Sequence, residues 1–185
     1  MHIILILGTS GKKDEKFLYN FKGTQGQYHN STDYFLSLGK HYTILGTKEA
    51  FAHQIDLLHH HSQILKHFDN NANHLETSNP EILFDKILET LKTLKDSSIL
   101  IDITHGFRDQ PLLATLASLI AKVNFKSKIQ LLYARETTPK ESKQYHYETL
   151  DDYINIGLKS FLLTSFIQTL TIPKISIQDN LIRAL

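Results

Sequence analysis

Short apolar runs punctuate the chain at Ile3 to Leu7, Tyr42 to Leu45, Ile99 to Ile103 and Ile129 to Ala134. Each is too short for a helix and rich in branched residues, as expected of a parallel strand covered on both faces. Between them lie stretches with apolar residues three and four apart, the spacing of amphipathic helices. One from about Thr47 to Phe68 places Phe51, Ile55, Leu58 and Leu65 on one face. Another opens at Asn79-Pro80-Glu81 and carries Phe84, Ile87, Leu88, Leu91 and Leu94. A third follows Asp109-Gln110-Pro111, with Pro111 in the first turn where its missing N–H costs nothing, and runs to about Asn124. The last covers Asp152 to about Thr169.

Smaller signals fill the gaps. Residues 16–30 read as a polar hairpin around Gly23-Thr24-Gln25-Gly26, with Phe17, Tyr19 and Phe21 alternating. Ser31 is predicted to cap a short helix through Leu38, closed by Gly39. The Asn-rich stretch 69–78 reads as a loop, and Tyr145 to Glu148 as an edge strand. Strands alternating with helices predict an α/β, Rossmann-like fold, a mostly parallel central sheet with helices on both faces. Residues 1–172 are expected to form one domain, followed by a short tail over 173–185.

Composition narrows the class. At 185 residues, 41% hydrophobic and 21% charged, the chain suits one folded domain. A net charge of +1 is too balanced for wrapping long nucleic acid, whereas a small anion needs only a local basic patch. The absence of cysteine excludes disulfide and thiolate chemistry and fits a cytoplasmic protein. No apolar run approaches membrane-spanning length, and the amino terminus lacks the pattern of a signal peptide.

The candidate chemistry lies where strands end. Asp102-Ile103-Thr104-His105-Gly106-Phe107-Arg108 joins a strand to a helix N-terminus, the place where open α/β sheets bind ligands and where free N–H groups favour anions. Thr104 and His105 add hydrogen-bonding groups, Gly106 permits close approach, and Arg108 supplies a fork for phosphate. Phe107 and Gln110 are grouped with them as ligand-binding positions. Asp102 is expected to fix the turn by accepting from Thr104 or nearby backbone. After the first strand, Gly8-Thr9-Ser10-Gly11-Lys12-Lys13 brings two glycines, two hydroxyls and two lysines, matching neither a Walker A loop nor a dinucleotide fingerprint. Arg135 follows the fourth run, in a loop on the same side, with Lys140 as a further cation. The run His59-His60-His61 contains no pair at ligand spacing within a helix, His53 with Asp56 being the one candidate, so it reads as a partly exposed helix face. No metal or cofactor is expected.

Asp-x-Thr-His-Gly followed by Phe-Arg, after a strand and before a Pro-initiated helix, resembles the signature of the CRISPR-associated DxTHG proteins. Their N-terminal part is a CARF domain, a Rossmann-like sensor of cyclic oligoadenylates. The strand-end sequences Gly8-Thr9-Ser10-Gly11 and Gly46-Thr47-Lys48-Glu49-Ala50, and the helix opening at Asp151-Asp152-Tyr153, agree with it. The similarity spans the chain thinly, and only the 102–108 motif is specific. The resemblance implies that the loops bearing Thr9, Ser10 and Thr104 to Arg108 face the ligand, and it implies a homodimer. A two-fold protein axis suits an even-membered ring, most simply cyclic tetra-adenylate. Many DxTHG proteins continue into a HEPN ribonuclease marked by Arg and, four to six residues on, His; Arg108, Arg135 and Arg183 have no such partner. A CARF-like domain without that effector is expected to be a ring nuclease, with Thr9, Ser10, His105 and Arg108 as catalytic candidates. A silent sensor is the alternative, and a metabolic nucleotide-binding enzyme a third.

Overall fold

The computed structural model describes residues 1–39, 41–70, 73–75, 79–107, 109–137 and 143–169. Arg108, Lys140 and the tail lie outside them. Seven strands form one sheet: β1 (His2–Ile6), β2 (Phe17–Phe21), β3 (Thr24–Tyr28), β4 (His41–Leu45), β5 (Ser98–Asp102), β6 (Lys128–Glu136) and β7 (Gln144–Thr149). Their order across the sheet is β3-β2-β7-β6-β5-β1-β4. The β1/β4, β1/β5, β5/β6 and β2/β7 pairings are parallel, and β2/β3 and β6/β7 antiparallel. The protein is therefore an α/β molecule with the mostly parallel, Rossmann-like sheet the apolar runs imply.

Among the described residues six helices cover it: α1 (Ser31–Ser37), α2 (Lys48–Leu57), α3 (Ser62–Phe68), α4 (Pro80–Thr93), α5 (Asp109–Asn124) and α6 (Asp151–Thr169). Alternation along β1 sends Ile3, Leu5 and Leu7 to one core and Ile4 and Ile6 to the other. The first core takes Tyr34, Phe35, Phe51, Leu58 and Ile64 from α1, α2 and the region of α3. The second takes Leu83, Ile87, Ala114, Ala117 and Ile154 from α4, α5 and α6. Helices thus lie on both faces. Among the described residues no helix is long and apolar enough to cross a membrane.

Local details differ from the sequence pattern for identifiable reasons. The helix expected over Thr47 to Phe68 is two helices, broken at Leu58, where the backbone leaves helical geometry (φ −113°, ψ 38°). Three successive histidines of modest helix propensity follow the break. It also rotates the buried face, so that Ile64 is in the core and Leu65 exposed. Asn30, not Ser31, caps α1, its side chain accepting the Asp33 N–H at 2.9 Å. The hairpin turns at Lys22-Gly23, both with positive φ (51° and 82°), a tighter turn than one centred on residues 23–26. Residues 144–149 form an interior strand rather than an edge, because the β2/β3 hairpin pairs outside them. Strand β6 runs on through Glu136, so Arg135 belongs to a strand and not to a loop.

Candidate functional site at the switch point

Strand β1 lies between β4, reached next along the chain among the parallel strands at this side, and β5, from which the chain moves the opposite way. That reversal opens a crevice at the carboxyl ends of β1 and β5. Both glycine-bearing loops meet there: a Cβ added to Gly8 would stand 2.6 Å from the Gly106 amide nitrogen and 3.3 Å from the His105 Cβ. Gly106 has φ +113°, a conformation other residues rarely adopt. The two backbones approach this closely because Gly8 carries no side chain; a Cβ on Gly106 would instead meet Gln110 (2.9 Å) and Ile6 (3.0 Å).

Asp102, buried at the end of β5, sets the turn: its Oδ1 accepts from the Thr104 N–H at 3.0 Å and from the Thr104 hydroxyl. The same hydroxyl accepts the Ala134 N–H at 2.8 Å. The expected structural role of Asp102 is thus seen. The Thr104 proton is committed to Asp102, so that hydroxyl has no proton for a phosphate. His105 Nε2 accepts the Ser31 N–H at 3.4 Å, which places the ring proton on Nδ1. Burial lowers the His105 pKa, with the Asp102 carboxylate opposing, so the imidazole stays neutral. Gln110 is fully buried and braces the turn by accepting the Phe107 N–H at 3.1 Å, while its Nε2 has no partner among the described residues.

The first loop is held from behind. Gln54 Nε2 donates to the carbonyls of Gly8 (2.7 Å) and Ser10 (3.0 Å). Asn30 Nδ2 donates to the Ser10 carbonyl (3.0 Å) and to Gln54 Oε1 (2.9 Å). Sequence reasoning missed both amides. Their signal was a polar residue amid the apolar face of α2, and an Asn just before a helix start. The Ser10 hydroxyl is buried with no partner among the described residues, whereas Thr9 is exposed. Gly11 (φ +100°) closes the loop against Leu57. Lys12 and Lys13 are exposed and paired with Glu15 (3.1 Å) and Asp56 (2.7 Å). Arg135 is exposed on β6 with its guanidinium 3.4 Å from Glu148.

The crevice therefore sets Gly8, at the start of the Thr9-Ser10-Gly11 loop, against the 104–107 turn, with Gln110 bracing that turn. Among the described residues, the ion pairs of Lys12, Lys13 and Arg135 go to Glu15, Asp56 and Glu148 and none to this crevice. A separate cleft of about 1020 Å³ opens at the amino ends of β5 and β6, lined by Lys122, Lys126, Ser127, Lys128 and Asp151 among others. It lies at the opposite end of the strands from the motif. One side-chain cluster contradicts the sequence reading. His60 and His61 do not lie on a helix face; the break after α2 turns both onto the Asp33 carboxylate.

No protein-family profile matches the chain, and no curated protein is similar to it in sequence.

Proposed function

We propose that the protein is a cytoplasmic ring nuclease of type III CRISPR antiviral signalling, acting as a homodimer on cyclic oligoadenylate, in first place cyclic tetra-adenylate. The observation that carries this reading is the contact of Gly8 with Gly106, which sets the hydroxyl-bearing loop against the Asp-x-Thr-His-Gly turn at the switch point. With the resemblance carried by residues 102–108, this makes one cradle for a phosphate-bearing ring.

The chemistry asks little of the protein. A ribose 2′-hydroxyl of the ring attacks the adjacent phosphorus, the P–O5′ bond breaks, and the leaving 5′-oxygen takes up the proton. The product is a linear oligoadenylate ending in 2′,3′-cyclic phosphate, with no water consumed. The nucleophile is part of the substrate, so the protein's task is in-line alignment and stabilisation of charge on the phosphorane, and the step needs no metal. The donors this reading calls on are the Ser10 hydroxyl, which must turn outward about its Cα–Cβ bond to meet a ligand, the backbone N–H groups of the two loops other than those of Thr104 and Phe107, which Asp102 and Gln110 already hold, and, from the sequence motif alone, Arg108. His105 has its proton on Nδ1 and serves as a hydrogen-bond donor from there.

A silent sensor is the second reading. It is favoured by one observation: Thr104 and the His105 Nε2 are already engaged within the fold. Incubation of the protein with labelled cyclic tetra-adenylate decides. Linear products bearing 2′,3′-cyclic phosphate support the nuclease, tight binding without products supports the sensor, and absence of both overturns the ligand class.

A further inference from the structure

We propose that Asp33, His60 and His61 form a binding site for a divalent transition metal, zinc by its ligand chemistry. Asp33 lies in the first turn of α1 and is buried. Its Oδ2 accepts the His29 N–H at 3.0 Å, which fixes the carboxylate and leaves Oδ1 to face the break between α2 and α3. There His61 Nε2 stands 2.9 Å and His60 Nε2 3.3 Å from that one oxygen. The two rings lie 4.2 Å apart, and all three ligand atoms fall within 4.8 Å of one another.

The dimensions suit a small cation. Metal–ligand bonds of about 2.0–2.1 Å at tetrahedral angles place donors about 3.3 Å apart, so the observed contacts need only a slight opening. Two imidazoles and a carboxylate are the donor set of zinc, nickel or copper rather than of magnesium or calcium. The His29 N–H on Oδ2 is the kind of outer support that holds a ligand carboxylate in place. His61 is largely buried and His60 half-exposed, which leaves a solvent-facing side for a water as fourth ligand.

The break that ends α2 makes this arrangement. Neighbouring residues on a continuous helix point about 100° apart and could not share a ligand. A metal here clamps the α2–α3 junction to the first turn of α1, beginning one residue after Asn30, which holds the Ser10 carbonyl. The site stands independently of the proposed nuclease activity, and its test uses none.

The untagged full chain, stripped with chelator and dialysed, is titrated with zinc chloride and with cobalt(II) chloride. One zinc per chain, visible cobalt bands of a four-coordinate complex and a higher Tm are expected. His61→Ala and Asp33→Asn should weaken binding roughly a hundredfold or more, beyond the loss usual for an outer-shell partner, and abolish the cobalt bands. His60→Ala, at a half-exposed position that tolerates truncation, serves where His61→Ala does not fold. His59→Ala should bind as wild type. Sub-stoichiometric zinc uptake, or equal affinity in wild type and the His60 and His61 variants, overturns the site and leaves an ordinary pair of histidine–carboxylate hydrogen bonds.

Discussion

Gly8→Ala tests the crevice at its narrowest point. The new Cβ would sit 2.6 Å from the Gly106 nitrogen, where ordinary contact begins at 3.4 Å, so about 0.8 Å must be recovered. The obstacle is backbone on both sides: Leu7 is hydrogen-bonded to Leu45 just before the loop, and Gln54 grips the Gly8 carbonyl. No flexible side-chain end can swing away. Forcing an extra carbon into a packed site costs typically ~1–3 kcal/mol, and rigid backbone places this change in the upper half. For a chain of this size each kcal/mol lowers Tm by roughly 2–4 °C, so a loss of about 4–12 °C is expected. Gly23→Ala is the control: nothing lies within 4 Å of its Cβ, and only the strained φ of +82° opposes it, at roughly 1–2 kcal/mol. The two variants should differ in function more than in stability. Parting the loops by most of an ångström misplaces the cradle, a displacement that can reduce turnover about a hundredfold, whereas Gly23→Ala leaves ring cleavage unchanged. Thermal denaturation and single-turnover cleavage are measured on both. A Gly8→Ala protein with wild-type Tm would show that the loops do not touch, and the account of the crevice would fall.

Ser10→Ala should bind cyclic tetra-adenylate nearly normally and cut it about 10²–10³ more slowly, the usual effect of losing one transition-state donor; single-turnover rates beside equilibrium binding check this, and a wild-type rate moves catalysis elsewhere. Arg108→Ala should weaken ligand binding roughly ten- to a hundredfold through loss of a charge-assisted phosphate contact, read by equilibrium titration. The pH dependence of stability isolates His105. Its folded pKa lies below the ordinary 6.5 because the ring is buried, so the unfolded chain takes up the proton first. Its contribution is full above 6.5 and falls as pH drops from there toward the folded pKa. Wild type should therefore lose more Tm than His105→Gln between about pH 7.5 and about pH 5.5, and identical profiles would show that the ring carries no such penalty.

The sheet was legible because buried parallel strands must be apolar on both faces, as Ile3 to Leu7 and Ile99 to Ile103 are. The place of each strand was less so. Tyr145 to Glu148 alternates in the same way whether or not another strand pairs outside it, so its interior position follows only from the hairpin's long excursion. The break at Leu58 has no glycine or proline to announce it. The 102–107 turn was readable as a turn, and Asp102 as its brace, since a carboxylate two residues before Thr104 has an obvious local partner. Gln54 and Asn30 act on a loop far away in sequence, and their roles emerge only when α1 and α2 close over it. Asp33 and His61 meet the same difficulty: spacing rules see partners along one helix, while these come from different elements.

The excursion of the hairpin also orders events during synthesis. Strand β2 pairs with β7, Leu18 opposite Gln144, and the fully buried Tyr19 ring stacks on Tyr145 at 4.9 Å. While a ribosome is still making the middle of the chain, the hairpin has no strand to join, and its aromatic side chains have only Tyr34 and Phe35 of α1 beside them, without the cover of Tyr145 and Tyr147. Contacts so distant in sequence form late and slowly, and exposed apolar surface in the interval invites association between chains. The hairpin must therefore wait, emerged but without its sheet partner, for the last quarter of the polypeptide to arrive.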